Sequence, residues 1–435
     1  MAAGSSSRID GVARRAALRV LAGLSGGRLT VADADGVHVV GHGTQLDLSV
    51  TVRVHSPSAY RALLRGSRGI AESYAEGQWD CDDLVGLVRI AARSLRSVDP
   101  WRQRVARVIG PFERIAATRR ANTRTRSVDN ILRHYDLGNE FFAQVLDETM
   151  GYSCAYYERP GMQPVEASRA NLDRVCRILD LRPGDRVLEM GSGWGGLALH
   201  AALHYGCRVS AVTISPSQRK YIDAAASKAG VADRVEVLMR DYRDVRGTWD
   251  KLVSLEMVES IGALHLDTFI AQCGRLIRAD GLMLIQAITT TDKLFRIDRY
   301  HRTFLNELIF PGGCVPSLEA ITGAAARRTD LRVTAVYDIS AHYPPTLRAW
   351  RERLQRNWSR IQALGDFDER FRRLWTLYMS WCEAGFIERR VQDRQIVFAG
   401  PLWREENRIL GLPLAEPAVE PAQRTAVPEA VTAAG

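Results

Sequence analysis

Residues 186–196 read Arg186-Val187-Leu188-Glu189-Met190-Gly191-Ser192-Gly193-Trp194-Gly195-Gly196, an apolar strand that ends in an acid and enters a glycine-rich turn ahead of a helix. In α/β sheets such a turn lies at the carboxyl end of a strand, where nucleotide-like ligands bind. Gly191, Gly193 and Gly196 let backbone approach a ligand closely, and their spacing also satisfies the dinucleotide pattern; Gly195 beside them is a further candidate contact. Two neighbours argue against a dinucleotide. Glu189 stands where a pyrophosphate would approach, and like charge there is costly. About 20 residues on, where an NAD site needs an acid for the ribose, Arg208-Val209-Ser210-Ala211-Val212-Thr213 is followed by Ile214-Ser215-Pro216. A ligand carrying an ammonium and a sulfonium, S-adenosylmethionine, suits Glu189 better.

Outward from this turn, helical and strand patterns alternate: helix 167–180, strand 186–190, helix 194–205, strand 208–213, helix 216–228, strands 234–238 and 251–255, helix 264–277 and strand 282–288. The alternation predicts an α/β domain built on a doubly wound parallel sheet. Aromatic- and Arg-rich helices are expected at 345–362 and 368–384, and a late strand at 393–398. Upstream, 28–55 reads as a hairpin turning at Asp35-Gly36 and 57–95 as helices broken near Gly77, a smaller α+β domain. The expected domains are therefore 1–125, closing with a basic linker, 126–412 around the glycine turn, and a disordered Ala/Pro/Glu-rich tail over 413–435.

The 435 residues are 46% hydrophobic with a formal net charge of +9, so a sizeable core and an anionic partner are expected, either nucleic acid or an anionic membrane surface. Seven cysteines without a CxxC pair imply reduced thiols and no metal site. No run of about 18 apolar residues is present, so the expected location is cytoplasmic. The basic stretch around Trp101 to Arg126 and the arginines and tryptophans at Arg348, Trp350, Arg351, Arg353, Arg356, Trp358 and Arg360 fit docking to anionic headgroups. The plainer reading is solvated helix faces and interdomain packing.

Candidate ligand contacts follow the next strands. Thr213, Ser215 and Gln218 offer neutral hydrogen-bonding groups for a ribose or carboxylate, and Asp241-Tyr242 offers an acceptor for an adenine amino group. The plainer reading of Thr213 and Ser215 is a helix cap.

His134-Tyr135-Asp136-Leu137-Gly138-Asn139-Glu140-Phe141-Phe142, Met150-Gly151-Tyr152-Ser153-Cys154-Ala155-Tyr156-Tyr157, the glycine turn, 212–218, 240–244 and 309–317 together closely resemble the cyclopropane fatty acid synthase family over about 130–400. The smaller N-terminal domain resembles the one that precedes the catalytic domain in phospholipid-acting members. The resemblance implies a class I methyltransferase fold, with Tyr152, Ser153 and Trp194 joining the cofactor set. It also implies methyl transfer from S-adenosylmethionine to a cis double bond of an acyl chain, through a carbocation that loses a proton. Aromatic faces stabilise a cation, which makes Tyr152, Tyr156, Tyr157 and Tyr343 candidates, with core packing as the plainer reading. A bound bicarbonate ion is implied as general base, held by Cys154, Glu259, Gln286, Ile288 and Tyr343.

The chain departs from the family pattern at Gln286 and Ser260, where the well-known synthases have histidine, and at Ser192, where they have cysteine. Glutamine donates a hydrogen bond but carries no proton charge, which leaves open cyclopropane or methylene-branched product. Glu256-Met257-Val258-Glu259 and Gln286-Ala287-Ile288 look nearer to the branch that makes the tuberculostearic (10-methylstearic) acid precursor. The partner implied is phospholipid acyl chain, oleoyl for instance, reached peripherally at the inner face of the plasma membrane. A reductase partner and a homodimer stay open. The competing readings are a non-catalytic lipid-binding relative and a nucleic-acid methyltransferase. The latter lacks an Asn/Asp-Pro-Pro-aromatic segment after the fourth strand and any nucleic-acid module, so no nucleic-acid partner is expected.

Overall fold

The computed structural model describes residues 8–41, 48–96, 99 and 137–404. The basic stretch 101–126, the expected boundary at 125/126, His134-Tyr135-Asp136 and the tail from Pro413 lie outside the described residues.

The sequence around the glycine turn folds as its punctuation dictates. Strands β1 (Arg28–Asp33), β2 (Gly36–Val40), β3 (Ser49–Val54) and β4 (Trp79–Cys81) form a small sheet in the order β2-β1-β3-β4. The expected hairpin is β1–β2, but β3 runs parallel to β1, with Leu29 opposite Val50. Helices Ser58–Leu63, Gly66–Ala75 and 84–96 cover this sheet, and the helical run breaks at Gly77, whose φ is +71°.

The large sheet contains β5 (Arg186–Met190), β6 (Arg208–Thr213), β7 (Val235–Met239), β8 (Trp249–Leu255), β9 (Ile277–Thr290), β10 (Arg332–Asp338) and β11 (Val391–Ala399), ordered β10-β11-β9-β8-β5-β6-β7. The five strands from β9 to β7 are parallel. The expected doubly wound parallel sheet is present, extended at one edge, where β11 pairs antiparallel with β9 and β10 antiparallel with β11. Residues 187–190 are buried, as a parallel strand covered on both faces requires. Helix Pro216–Lys228 starts at a proline, and the Ser215 hydroxyl accepts from the Gln218 N–H at 3.3 Å, a start signal legible in Ser-Pro-Ser-Gln. From β5 the chain winds outward to β6 and β7, then returns to β8 and β9 on the other side of β5. The reversal opens a crevice at the carboxyl ends of β5 and β8, the place where doubly wound sheets bind ligands.

An aromatic core lies over that crevice. Phe141, Phe142, Trp194, Trp350, Trp375 and Tyr378 pack together with Tyr74 and Trp79 of the N-terminal unit. Arg373 joins the units by donating to the Tyr74 and Trp79 carbonyls at 2.6 and 2.8 Å.

Several side chains expected at a headgroup surface are used inside the protein instead. Trp350 is buried in the aromatic core. Arg348 and Arg351 both pair with Glu383, at 2.9 and 2.6 Å, and Arg353 donates to the Val145 and Ala143 carbonyls. Arg356 and Arg360 remain exposed. Glu383 is 1% exposed, so Glu383→Ala leaves the half-buried Arg351 guanidinium without its acid. Because Arg348 rehydrates, the expected loss is about 2–3 kcal/mol, read as a lower urea midpoint at unchanged slope. An unchanged midpoint would show that the pair contributes nothing net.

Candidate active site

The crevice is a cavity lined by the turn residues Glu189, Gly191, Ser192, Gly193, Trp194 and Gly196. Thr213, Gln218, Asp241 and Tyr242 line the strand ends, Tyr152 and Ser153 the upstream loop, and Glu256, Met257, Ser260, Phe310 and Pro311 the opposite wall. Most of the sequence-derived cofactor set is therefore brought together. Two members stand apart: Gly195, at φ +79°, starts the helix against Ile222, and Ser215 caps the next one. Ser192 Oγ donates to the Glu189 and Val212 carbonyls, so it braces the turn.

Gly191 has φ +80°, and a Cβ there would lie 2.7 Å from Met257 Sδ, so only glycine keeps this wall open. Glu189 is 3% exposed, and its Oε2 has no hydrogen-bond partner. Burial pushes its carboxyl up to about 8. The Tyr242 hydroxyl is also buried without a partner, and burial raises it to about 12. Thr213 Oγ1 donates to Gln218 Oε1 at 2.7 Å, and Asp241 is held by Arg243 at 2.6 Å. Unpaired buried polar groups beside a glycine cradle call for a polar ligand, and a negative carboxyl beside it suits a cationic one. The residues fit S-adenosylmethionine.

On the β8 side the donors converge on a residue outside the candidate set. Glu256 follows β8 with φ +51°. The Cys154 N–H donates to its Oε1 at 2.8 Å, Gln286 Nε2 to the same oxygen at 2.9 Å, and the Tyr343 hydroxyl to Oε2. Gln286 is fixed from behind, its Oε1 accepting from Asn171 and Gln395 at 3.1 and 3.0 Å. Its Nε2 also reaches Asp393 Oδ2 at 3.3 Å. The Ile288 N–H donates to Glu259 Oε1, and Glu259 Oε2 is buried without a partner.

Burial first, and the Glu256 charge second, push Glu259 up to about 8. Burial likewise raises Glu256, and raises Asp393 well above the carboxylate range. Three buried acids this close do not all ionise; Asp393, whose hydrogen bond with Glu256 raises its own carboxyl and lowers that of Glu256, is the natural holder of a proton. The Cys154 thiol, raised by burial and donating to the Ala155 carbonyl at 3.2 Å, is no nucleophile.

The bicarbonate implied by the resemblance does not fit this arrangement. Of the five residues expected to hold it, Cys154, Gln286 and Tyr343 direct their donors at Glu256, and Ile288 satisfies Glu259. A second anion would meet the Glu256 carboxylate. Among the aromatic candidates, Tyr152 lines the cavity and exchanges a hydrogen bond with Tyr378 at 2.9 Å. Tyr156 instead packs against His342 and lies under Arg174, 4.7 Å from its ring centre, and the Tyr157 N–H donates to His342.

Comparison with known proteins places the chain in a family. Residues 122–396 match the family described as mycolic acid cyclopropane synthetase. The tuberculostearic acid methyltransferase of Mycobacterium tuberculosis is 36% identical over 342 residues, covering 77% of this chain and 79% of its own. The cyclopropane-fatty-acyl-phospholipid synthase of Escherichia coli is 34% identical over 352 residues, covering 80% and 87%. The solved mycolic acid cyclopropane synthase complexed with SAH and CTAB superposes with a TM-score of 0.58 at 30% identity, covering 62% of this chain and 98% of that one. With the family match, the mixed sheet and a cavity suited to S-adenosylmethionine, this chain belongs to the mycolic acid cyclopropane synthetase family of S-adenosylmethionine-dependent methyltransferases.

Proposed function

We propose that this enzyme methylates the cis double bond of an unsaturated acyl chain carried on phospholipid, oleoyl being the simplest case. The observation that carries the reading is the junction at Tyr152 and Phe310. There the cofactor cavity meets the aromatic core, with the Glu256 carboxylate on the same wall. An apolar aromatic wall suits an acyl chain and stabilises positive charge on it, and a buried carboxylate suits proton removal.

When bound, S-adenosylmethionine supplies an electrophilic methyl group. The alkene π pair forms the new carbon–carbon bond as the carbon–sulfur bond breaks, leaving a cation on the neighbouring carbon. Loss of a methyl proton with ring closure gives a cyclopropane. A hydride shift to the cationic carbon followed by the same proton loss gives a methylene branch, which a reductase would then saturate. Glu189, the glycine turn, Thr213, Gln218, Asp241 and Tyr242 would hold the cofactor, and Tyr152, which lines the same cavity, would face the reacting carbons.

No helix among the described residues is long and apolar enough to cross a membrane. With the net charge of +9, this supports peripheral action at the cytoplasmic face of an anionic bilayer. The test is incubation with labelled S-adenosylmethionine and oleoyl-phospholipid vesicles, followed by proton NMR of the released fatty acids. High-field ring protons would identify a cyclopropane synthase, and vinylidene protons a methylene-forming enzyme. Absence of labelled lipid, with cofactor binding intact, would favour a non-catalytic lipid-binding role.

A further inference from the structure

We propose that the Glu256 carboxylate is the resident general base of this enzyme, standing where the resemblance implies a bicarbonate ion and making turnover independent of bicarbonate. The inference rests on the function proposed above. Three observations support it.

Donors from three separate segments, the Cys154 N–H, Gln286 Nε2 and the Tyr343 hydroxyl, close on this one carboxylate. Such convergence favours the ionised form of a carboxylate, against the burial that opposes it. Glu256 nonetheless lines the cofactor cavity, the space in which the reacting carbons would lie. Its backbone is left-handed, φ +51°, a conformation that glycine adopts freely and that other residues occupy at a cost, typically where function requires the side chain. Glycine here would relax the backbone and vacate a space already surrounded by donors, one the size of a small oxyanion.

In the step assigned to it, a Glu256 oxygen takes a proton from the methyl group delivered to the acyl chain. The carbon–hydrogen pair becomes the third ring bond or the new double bond, and Glu256 becomes a carboxylic acid. The proton passes afterwards to water at the cavity mouth. No oxidant or second reactant is needed.

The test pairs two variants. Glu256→Gln keeps the space filled and removes the base; Glu256→Gly empties the space. In carbonate-depleted buffer both are expected to lose at least 100-fold in kcat, in line with the range for general bases, while S-adenosylmethionine affinity stays within about threefold. Adding bicarbonate is expected to restore Glu256→Gly at least tenfold, to leave Glu256→Gln inactive, and to leave the wild type unchanged. A wild type that slows on bicarbonate depletion, or a Glu256→Gly variant as fast as wild type, would overturn the proposal.

A binding measurement separates this outcome from failure of the lipid reading. Line broadening of 13C-bicarbonate is expected with Glu256→Gly and not with wild type. Specific binding to the wild-type protein would overturn the proposal whatever the lipid assay shows.

Discussion

Glu189→Gln is expected to weaken S-adenosylmethionine binding about 100-fold at pH 8 and to abolish the pH dependence of that binding. Glu189 is buried at the end of β5 with one oxygen unpaired, and burial holds its carboxyl up to about 8. A cationic ligand favours the ionised form, so below pH 8 binding must expel the proton. Affinity of the wild type then falls about tenfold for each pH unit below 8. Losing a charge-assisted contact in such a site costs about 3 kcal/mol, which is the source of the 100-fold figure. Titration calorimetry in buffers of differing ionisation heat checks this directly. Wild type should release about one proton per ligand at pH 7, and the variant none; equal release from both would remove Glu189 from the cofactor's charge environment.

The same raised carboxyl governs the stability of the ligand-free protein, with the opposite sense to a salt-bridged acid. Its contribution is fully present below the ordinary carboxyl value of 4.5 and is lost as pH rises through about 8. Glu259, also at about 8, acts in the same direction. Ligand-free wild type should therefore melt at a lower temperature at pH 9 than at pH 6, and Glu189→Gln should narrow the difference.

The glycine turn and its neighbours were legible because their signals are local. Strand 208–213 and helix 216–228 have in the structure the bounds their sequence implies, set by Arg208 and Thr213 on one side and the Ser-Pro start on the other. Strand β10 gave no signal of burial because it is a sheet edge; Val333, Val336 and Tyr337 are all exposed. Glu256 was visible only as part of a segment resembling one branch of the family. Its role depends on donors 102, 30 and 87 residues away, and no spacing rule links such positions. One sign was available: an acid directly after an apolar strand, the arrangement that singled out Glu189 at the end of β5. The arginines of helix Tyr343–Arg356 misled for a related reason. Their partner Glu383 sits in the run Trp381-Cys382-Glu383-Ala384, and a buried acid there requires cations to approach from another helix.

Tyr343→Phe is the sharpest way to separate the two roles open to that ring. As an aromatic face beside a cation, Tyr343 would lose little on becoming phenylalanine, since the ring and its packing against Phe386 and Trp350 persist. As a donor to Glu256, it would lose the interaction that favours the ionised carboxylate, and the carboxyl, already raised by burial, would rise further. A hydrogen bond to a charged group contributes about 1.5–3 kcal/mol, equivalent to about one to two pH units. The Cys154 N–H and Gln286 remain to hold Glu256, and the hydrogen bond with Asp393 also favours its ionisation, while burial continues to oppose it. The expected result is a kcat lowered at pH 7, by up to about 10- to 100-fold. The acid limb of the pH profile should move upward by one to two units, with recovery at alkaline pH. Cofactor affinity should be unchanged, because the Tyr343 hydroxyl points at Glu256 and Tyr343 does not line the cofactor cavity. A loss of kcat that is the same at every pH would assign Tyr343 to packing or to stabilising the cation, and would leave Glu256 held by two donors rather than three.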